Sequence, residues 1–258
     1  MQDKINVLLT ISYLGTNYAG WQVQKNKKTI QGELERVFSK IFNEKIEIIG
    51  SGRTDAGVHA KSAKANALLP LCFVKKHFSN NGKLDFSKLI NSINQLLPDD
   101  IKILKIKKVG LNFNARFGAK QKTYSYKIKC GGILLPFDSF NTVFINQKLD
   151  IEKMQQASKY LIGEHDFTSF CSAKTEIENK VRTIFDITIK QNKNIITFEI
   201  TGNGFLYNMV RIIVGTLVDV GSGKLKPEEI KNILNSKNRE KAGKTLPAKG
   251  LTLKNVKY

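Results

Sequence analysis

Ile5-Asn6-Val7-Leu8-Leu9-Thr10-Ile11, followed after a gap by Thr29-Ile30-Gln31-Gly32-Glu33-Leu34-Glu35-Arg36-Val37-Phe38-Ser39-Lys40-Ile41, decides how the rest of the chain is read. In the first stretch Ile5, Val7, Leu9 and Ile11 alternate, the period of a strand buried on one face. In the second, Ile30, Leu34, Val37, Phe38 and Ile41 recur at helical spacing, with Thr29 placed as an N-cap. Working outward, short strands are expected at about 45–51 and 62–69. A second amphipathic helix through Phe86, Leu89, Ile90, Ile93 and Leu97 is stopped by Pro98, and a strand follows at about 101–109. The order is β-α-β-β-α-β.

The second half repeats it. A strand at about 120–130 precedes a helix from Asp150 to Ile162, capped by Asp150 and ended by Gly163. Strands near 181–190 and 194–202 lead to an apolar helix at about 206–220, a helix opened by Pro227 at N1, and a short strand near 251–257. The expectation is an α+β fold of two ferredoxin-like βαββαβ halves, 1–109 and 110–258, joined near Gly110. Their sheets would be mixed and largely antiparallel, with a central basic cleft between the halves, a common place for a ligand site. The stretches 75–84 and 236–249 read as mobile basic loops.

Composition narrows the function. The net charge of +20 on 258 residues points to a polyanionic partner. Only six of the 42 basic residues are arginine: Arg36, Arg53, Arg116, Arg182, Arg211 and Arg239. In so lysine-biased a chain, arginine is expected where a rigid bidentate fork is needed, Arg36 and Arg239 excepted as surface residues. No apolar run reaches the roughly 18 residues of a membrane span, and the opening segment is not a secretory signal. Cys72, Cys130 and Cys171, odd in number and far apart, fit neither a disulfide framework nor a zinc site. They read as ordinary buried thiols of a reducing cytoplasm.

The chemistry concentrates in Ser51-Gly52-Arg53-Thr54-Asp55-Ala56-Gly57-Val58-His59-Ala60. Its glycines let the backbone turn sharply after a strand, presenting a carboxylate and an arginine two residues apart. A tight turn in which Asp55 only bonds its own backbone is the plainer alternative. His59 has no neighbours at metal spacing and reads as a structural hydrogen-bonder, while His165 and Asp166 read as setting a turn.

This decapeptide resembles the signature loop of the pseudouridine synthases, and its surroundings resemble the tRNA pseudouridine synthase A (TruA) family. The likeness covers essentially the whole chain. It runs through Tyr13-Leu14-Gly15-Thr16-Asn17-Tyr18-Ala19-Gly20-Trp21-Gln22-Val23-Gln24 and Thr29-Ile30-Gln31-Gly32. Phe113-Asn114-Ala115-Arg116-Phe117, Lys122-Thr123-Tyr124-Ser125-Tyr126, His165-Asp166-Phe167-Thr168-Ser169-Phe170 and Val181-Arg182-Thr183-Ile184 follow in order. Gly204-Phe205-Leu206-Tyr207-Asn208-Met209-Val210-Arg211 and Pro247-Ala248-Lys249-Gly250-Leu251 complete it. The departures are Ala60, where glycine is frequent, and Phe117-Gly118-Ala119-Lys120.

The resemblance implies isomerisation of uridine to pseudouridine at positions 38, 39 and 40 of the transfer RNA anticodon stem-loop. It implies Asp55 as the catalytic residue, Tyr124 stacking on the uracil, Arg211 holding the aspartate ionised, and Leu206 lining the pocket. Arg53 would fill the space left by the flipped uridine or clamp the adjoining phosphate, whereas Arg116 and Arg182 would fix either loops or RNA backbone. The reaction breaks N1–C1′, turns the base and joins C5 to C1′, which calls for no cofactor and no metal. One carboxylate suffices, by attack on sugar or base or by removing a sugar proton; a glycoside hydrolase would need two. The family also implies a cytoplasmic homodimer with no membrane association. Two rivals remain: a non-catalytic RNA-binding module, echoed in Gly202-Asn203-Gly204-Phe205-Leu206-Tyr207, and a hydrolase of free nucleosides.

Overall fold

The alternation at the amino end becomes strand β1 (Lys4–Tyr13), on which Ile5, Val7, Leu9, Ile11 and Tyr13 are all buried. The structure, a computed structural model, describes residues 4–80, 83–173, 175 and 177–258. It divides into Met1–Ala119 together with Tyr258, and Lys120–Lys257.

In the first unit, β1 is followed by α1 (Ile30–Phe42), β2 (Ile49–Gly50), β3 (His59–Pro70) and α2 (Leu71–His77). Then come β4 (Ser79–Asn80), β5 (Lys83–Leu84), α3 (Phe86–Leu96) and β6 (Ile101–Lys108). The main sheet runs β6-β1-β3-β2, antiparallel throughout, the 4-1-3-2 order of a ferredoxin-like unit. The Thr29 side chain caps α1 by accepting from the Gly32 N–H at 3.2 Å. Leu34, Val37 and Phe38 of α1 and Leu89 and Ile93 of α3 are fully buried, each stabilising the unit by about 1.5–3 kcal/mol relative to exposure.

Three expectations are corrected here. The strand foreseen at 45–51 shrinks to β2, because side chains take its backbone donors: Ser39 Oγ accepts from Ile46 N–H and Glu35 Oε1 from Ile48 N–H. The basic loop foreseen at 75–84 is largely structured, with α2 anchored by buried Val74 and by Phe73 packed 5.1 Å from the Phe42 ring. The β4–β5 hairpin closes it; residues 81–82 lie outside the described residues. The joint moves from Gly110 to beyond Ala119. Buried Asn6 donates to the carbonyls of Gly110, Leu111 and Phe113, and Asn66 Oδ1 accepts from Ala115 N–H, so 110–119 belongs to the first unit.

The second unit contains β7 (Gln121–Cys130), β8 (Val143–Ile145), α4 (Ile151–Lys159), β9 (Gly163–Asp166) and β10 (Val181–Asn192). It continues with β11 (Ile195–Gly202), α5 (Met209–Gly221), α6 (Glu229–Ser236) and β12 (Leu251–Lys257). Its order, β12-β7-β11-β10, is again 4-1-3-2, with β9 beyond β10 and β8 parallel to β7. Asp150 caps α4 as expected, accepting from Lys153 N–H at 3.0 Å. The helix stops at Lys159 rather than Ile162, since the chain turns to enter β9. His165 and Asp166 therefore lie on a strand, and Asp166 Oδ1 accepts from the amide and hydroxyl of Thr168 in the turn just after. Pro227 falls before the Glu228 cap of α6, not at N1.

The 236–249 segment is bound to α5 rather than left as a loop. Gly243 N–H donates to Thr216 Oγ1, Arg211 Nε donates to the Leu246 carbonyl, and Leu246 is buried. Arg239, expected at the surface, ties the segment internally through Ala242 O and Thr245 Oγ1. The α+β class and the largely antiparallel mixed sheets agree with the sequence reading. Among the described residues no helix is long and apolar enough to cross a membrane.

Candidate active site

Asp55 lies between β2 and β3 on a loop that the opening segment grips on both sides. Trp21 N–H donates to the Thr54 carbonyl at 3.0 Å and Gly57 N–H to the Tyr18 carbonyl at 3.4 Å. Tyr13 Oη and Thr54 Oγ1 are 2.8 Å apart, and His59 Nδ1 accepts from Gly15 N–H at 3.0 Å. That last bond puts the proton of a neutral His59 ring on Nε2 and makes His59 a structural partner, as the sequence suggested. Burial pushes the Tyr13 hydroxyl pKa well above its ordinary range, outweighing the Thr54 bond, so the phenol stays neutral. Asp55 is half-buried on this frame. Arg53 is exposed and has no ion-pair partner among the described residues, a free cation two residues from the carboxylate.

The frame itself was not foreseen. Tyr13, Tyr18 and Trp21, each about 3% exposed, stood in the sequence as a block without a task. Their partners lie about forty positions away, beyond the reach of any local pattern. Tyr18 Oη also donates to Asp100 Oδ1, fixing the segment to the turn before β6.

In the second unit, Tyr124 sits on β7 between Ile200 of β11 and Leu253 of β12. It is almost fully buried, and Phe205 meets its ring edge-on at 5.2 Å and 86°. Leu206, 5% exposed, lies next to Phe205 in the turn before α5. The helix starts only at Met209, after Asn208 adopts a left-handed φ of 62°. This late start delivers Asn208 Oδ1 to Arg211 Nη1 at 2.6 Å, while Arg211 Nε donates to Leu246 O at 2.7 Å. Two acceptors thus aim the guanidinium. Its charge also reaches buried Tyr126, opposing the strong upward push that burial gives that hydroxyl. The structure sets Phe205 against Tyr124, with Leu206 the next residue along the chain, and carries Arg211 on the first turn of α5.

Arg182 Nη1 donates to the carbonyls of Asn179 and Val181, a loop-fixing arrangement. Arg116 lies 5.7 Å over the ring of Phe117, which is 82% exposed. Arg36 pairs with Glu33 on the surface of α1. The cysteines depart from expectation: Cys171 is buried, but Cys130 is half-buried and Cys72 exposed on α2, and all three are free thiols. Among the described residues, no group of three His, Cys, Asp or Glu side chains converges as a metal ion would require.

Comparison with known proteins gives the class first. A family described as tRNA pseudouridine synthase matches residues 9–118 and 157–258, and the chain belongs to that family. The matched stretches include Arg53, Asp55, Leu206 and Arg211; Tyr124 falls between them. The particular relatives share one name, tRNA pseudouridine synthase A. One from Caldicellulosiruptor saccharolyticus is 48% identical over 254 residues, 98% of this chain and 99% of its own. One from Clostridium acetobutylicum is 44% identical over 253 residues, again 98% and 99%. One from Brevibacillus brevis is 44% identical over 248 residues, 96% and 97%.

Proposed function

We propose that this chain isomerises uridine to pseudouridine in transfer RNA, at positions 38, 39 and 40 of the anticodon stem-loop, with Asp55 as its catalytic carboxylate. The observation that carries the reading is the Asp55 loop, clamped from both sides by the 13–21 segment within a chain that matches its named relatives from end to end. A loop held by four hydrogen bonds can keep one carboxylate in position while a nucleotide is bound and rearranged. Asp55 acts at the N1–C1′ bond, by attack on sugar or base or by removing a sugar proton.

The other residues are assigned to substrate. Tyr124, its ring braced edge-on by Phe205, offers its hydroxyl for proton transfer at C5 and its surface to the uracil. Leu206 supplies the apolar wall. Arg211, aimed by Asn208 and Leu246, supplies the positive charge that keeps a carboxylate ionised. Arg53, exposed beside Asp55, enters the space vacated by the flipped base or holds its phosphate. Three free cysteines suit the cytoplasm. The working form is a homodimer; the 131–142 connection, exposing Ile133 at 80% and Phe137 at 86%, is the apolar surface offered for it.

The test is tritium release from transfer RNA labelled at uridine C5, comparing wild type with Asp55→Asn. Release by the wild type alone, with RNA still bound by the folded variant, is expected. Tight binding by both with no release from either would leave an RNA-binding module and sink the catalytic assignment. Binding should also weaken steeply with salt, since phosphate contacts release counterions.

A further inference from the structure

Strand β7 has two surfaces. Tyr124, Tyr126 and Ile128 are buried, so the alternation of the strand turns Ser125, Lys127 and Lys129 to the other face. Strand register carries that face across the sheet. Lys127 stands opposite Thr197 of β11, which stands opposite Lys190 of β10; Lys129 stands opposite Ile195, which stands opposite Asn192. Lys193, at φ 52°, turns the hairpin between β10 and β11. A shallow concavity of about 700 Å³ results, lined by Lys127, Lys129, Lys193, Asn192, Asn194 and Thr197, with Ile195.

Among the described residues, no carboxylate lines this concavity. Glu199, two residues along β11 from Thr197, is already engaged by Lys254. Among the described residues, Lys127, Lys129, Lys190 and Lys193 have no ion-pair partner. A strand face serving only to be solvated gains from mixed signs, because like charges close together on a sheet destabilise it. Here four positive charges stand uncompensated, three on paired strands and Lys193 on the hairpin that joins two of them.

We propose that this face binds the phosphodiester backbone of transfer RNA outside the anticodon arm. The proposal rests on the reading of the substrate given above and adds a second contact to it. Cations interleaved with hydroxyl and amide groups are the donors that phosphate oxygens take. Ile195 is the one aliphatic side chain in the lining, too little for a lipid surface or an amphipathic peptide, which need apolar anchors. The face is turned away from the Tyr124 side of β7, so its contact is separate from that of the target nucleotide.

Equilibrium binding of two RNAs, an intact transfer RNA and its isolated anticodon stem-loop, decides the matter. The variant Lys127→Glu/Lys129→Glu/Lys193→Glu should bind intact transfer RNA at least about tenfold more weakly, with the slope of log K against log salt reduced by about two to three. Stem-loop binding should change less than threefold. The same reversal at exposed Lys159, Lys226 and Lys231 keeps net charge equal and should not reproduce the difference. If the glutamate variant loses its fold by circular dichroism, the corresponding glutamine triple replaces it, with the same ranking expected. No loss, an equal loss for both RNAs, or an equal loss in the control triple would overturn the proposal. Because binding is read rather than turnover, a wild type without tritium release would refute the isomerase reading and still leave this comparison decisive.

Discussion

Replacing Gly20 with alanine tests whether the 13–21 segment positions Asp55 or merely packs beside it. Gly20 has φ +95°, which an L side chain adopts at a cost of about 1–3 kcal/mol. A Cβ there would also stand 2.6 Å from the Thr54 carbonyl oxygen and 3.2 Å from Ala56 N and Asp55 C. Ordinary contact begins at 3.4 Å, so that oxygen must retreat by about 0.8 Å or the segment must lift away. Either movement strains the Trp21 N–H bond to Thr54 O, worth about 0.5–1.5 kcal/mol. The expected total is about 2–4 kcal/mol, within the 5–15 kcal/mol of a typical domain, so the variant should fold. Displacing a catalytic group by that distance costs on the order of 10²-fold in rate. Gly223→Ala is the control: φ is +79°, but nothing lies within 4 Å of the added Cβ, so backbone strain acts alone. Urea midpoints and single-turnover tritium release would be measured for both. Were Gly20→Ala as stable as Gly223→Ala and as active as wild type, the positioning argument would fail.

Tyr126→Phe removes the hydroxyl that donates to Pro247 O at 2.6 Å and should cost about 1–2 kcal/mol in urea unfolding, with faster amide exchange at 248–250. An unchanged midpoint would show that the bond contributes nothing net. Thr29→Ala should lose about 1 kcal/mol by uncapping α1, and Thr29→Ser should restore most of it. Asp166 gives a pH test: burial raises its pKa, but the Thr168 hydroxyl and amide with Lys237 outweigh burial and leave it below the usual carboxylate range. A folded pKa below the unfolded one means stability present above about pH 4 and lost as pH falls through the folded value. The stability gap between wild type and Asp166→Asn should therefore close in acid; a gap constant down to about pH 2 would contradict this.

Elements written in short-range periodicity were legible: β1 buries every side chain that its spacing marked, α1 all but half-buried Ile41, and α3 buries Leu89 and Ile93 while Phe86 and Ile90 stay half-buried. What escaped was decided by partners far along the chain. Strand pairing at 45–48 gives way to acceptors on α1, at Ser39 and Glu35, and no hydropathy pattern records that substitution. The 236–249 segment looked like a loop because its composition is polar; its backbone donors and acceptors are met by Arg211 and Thr216, 27 to 35 positions earlier. Strand β8 escaped because its parallel pairing with β7 follows a long connection. At the site, the glycine-flanked Arg53–Asp55 pair was visible as a loop. The tyrosines and tryptophan that hold it were visible only as residues, since Tyr13 and Thr54 stand 41 positions apart. The arginines divided usefully: Arg211 takes the directed, two-acceptor geometry expected of scarce guanidinium groups, while Arg36 makes only a surface pair.

Tyr258 belongs to the first unit, although the whole second unit precedes it in the chain. Its hydroxyl donates to Ala115 O, its ring packs 4.9 Å from Phe113, and it is hydrogen-bonded with Ser51 at the head of the Asp55 loop. During translation the first unit therefore emerges with a gap that is filled only after Lys120–Lys257 has been made. At about 5–20 residues per second that is a wait of roughly 7–28 s. Over that interval the aspartate loop lacks one of its fastenings. The nascent first half is a protein whose aspartate loop waits for the second half to be made, so late synthesis, rather than early folding, is the step that completes it.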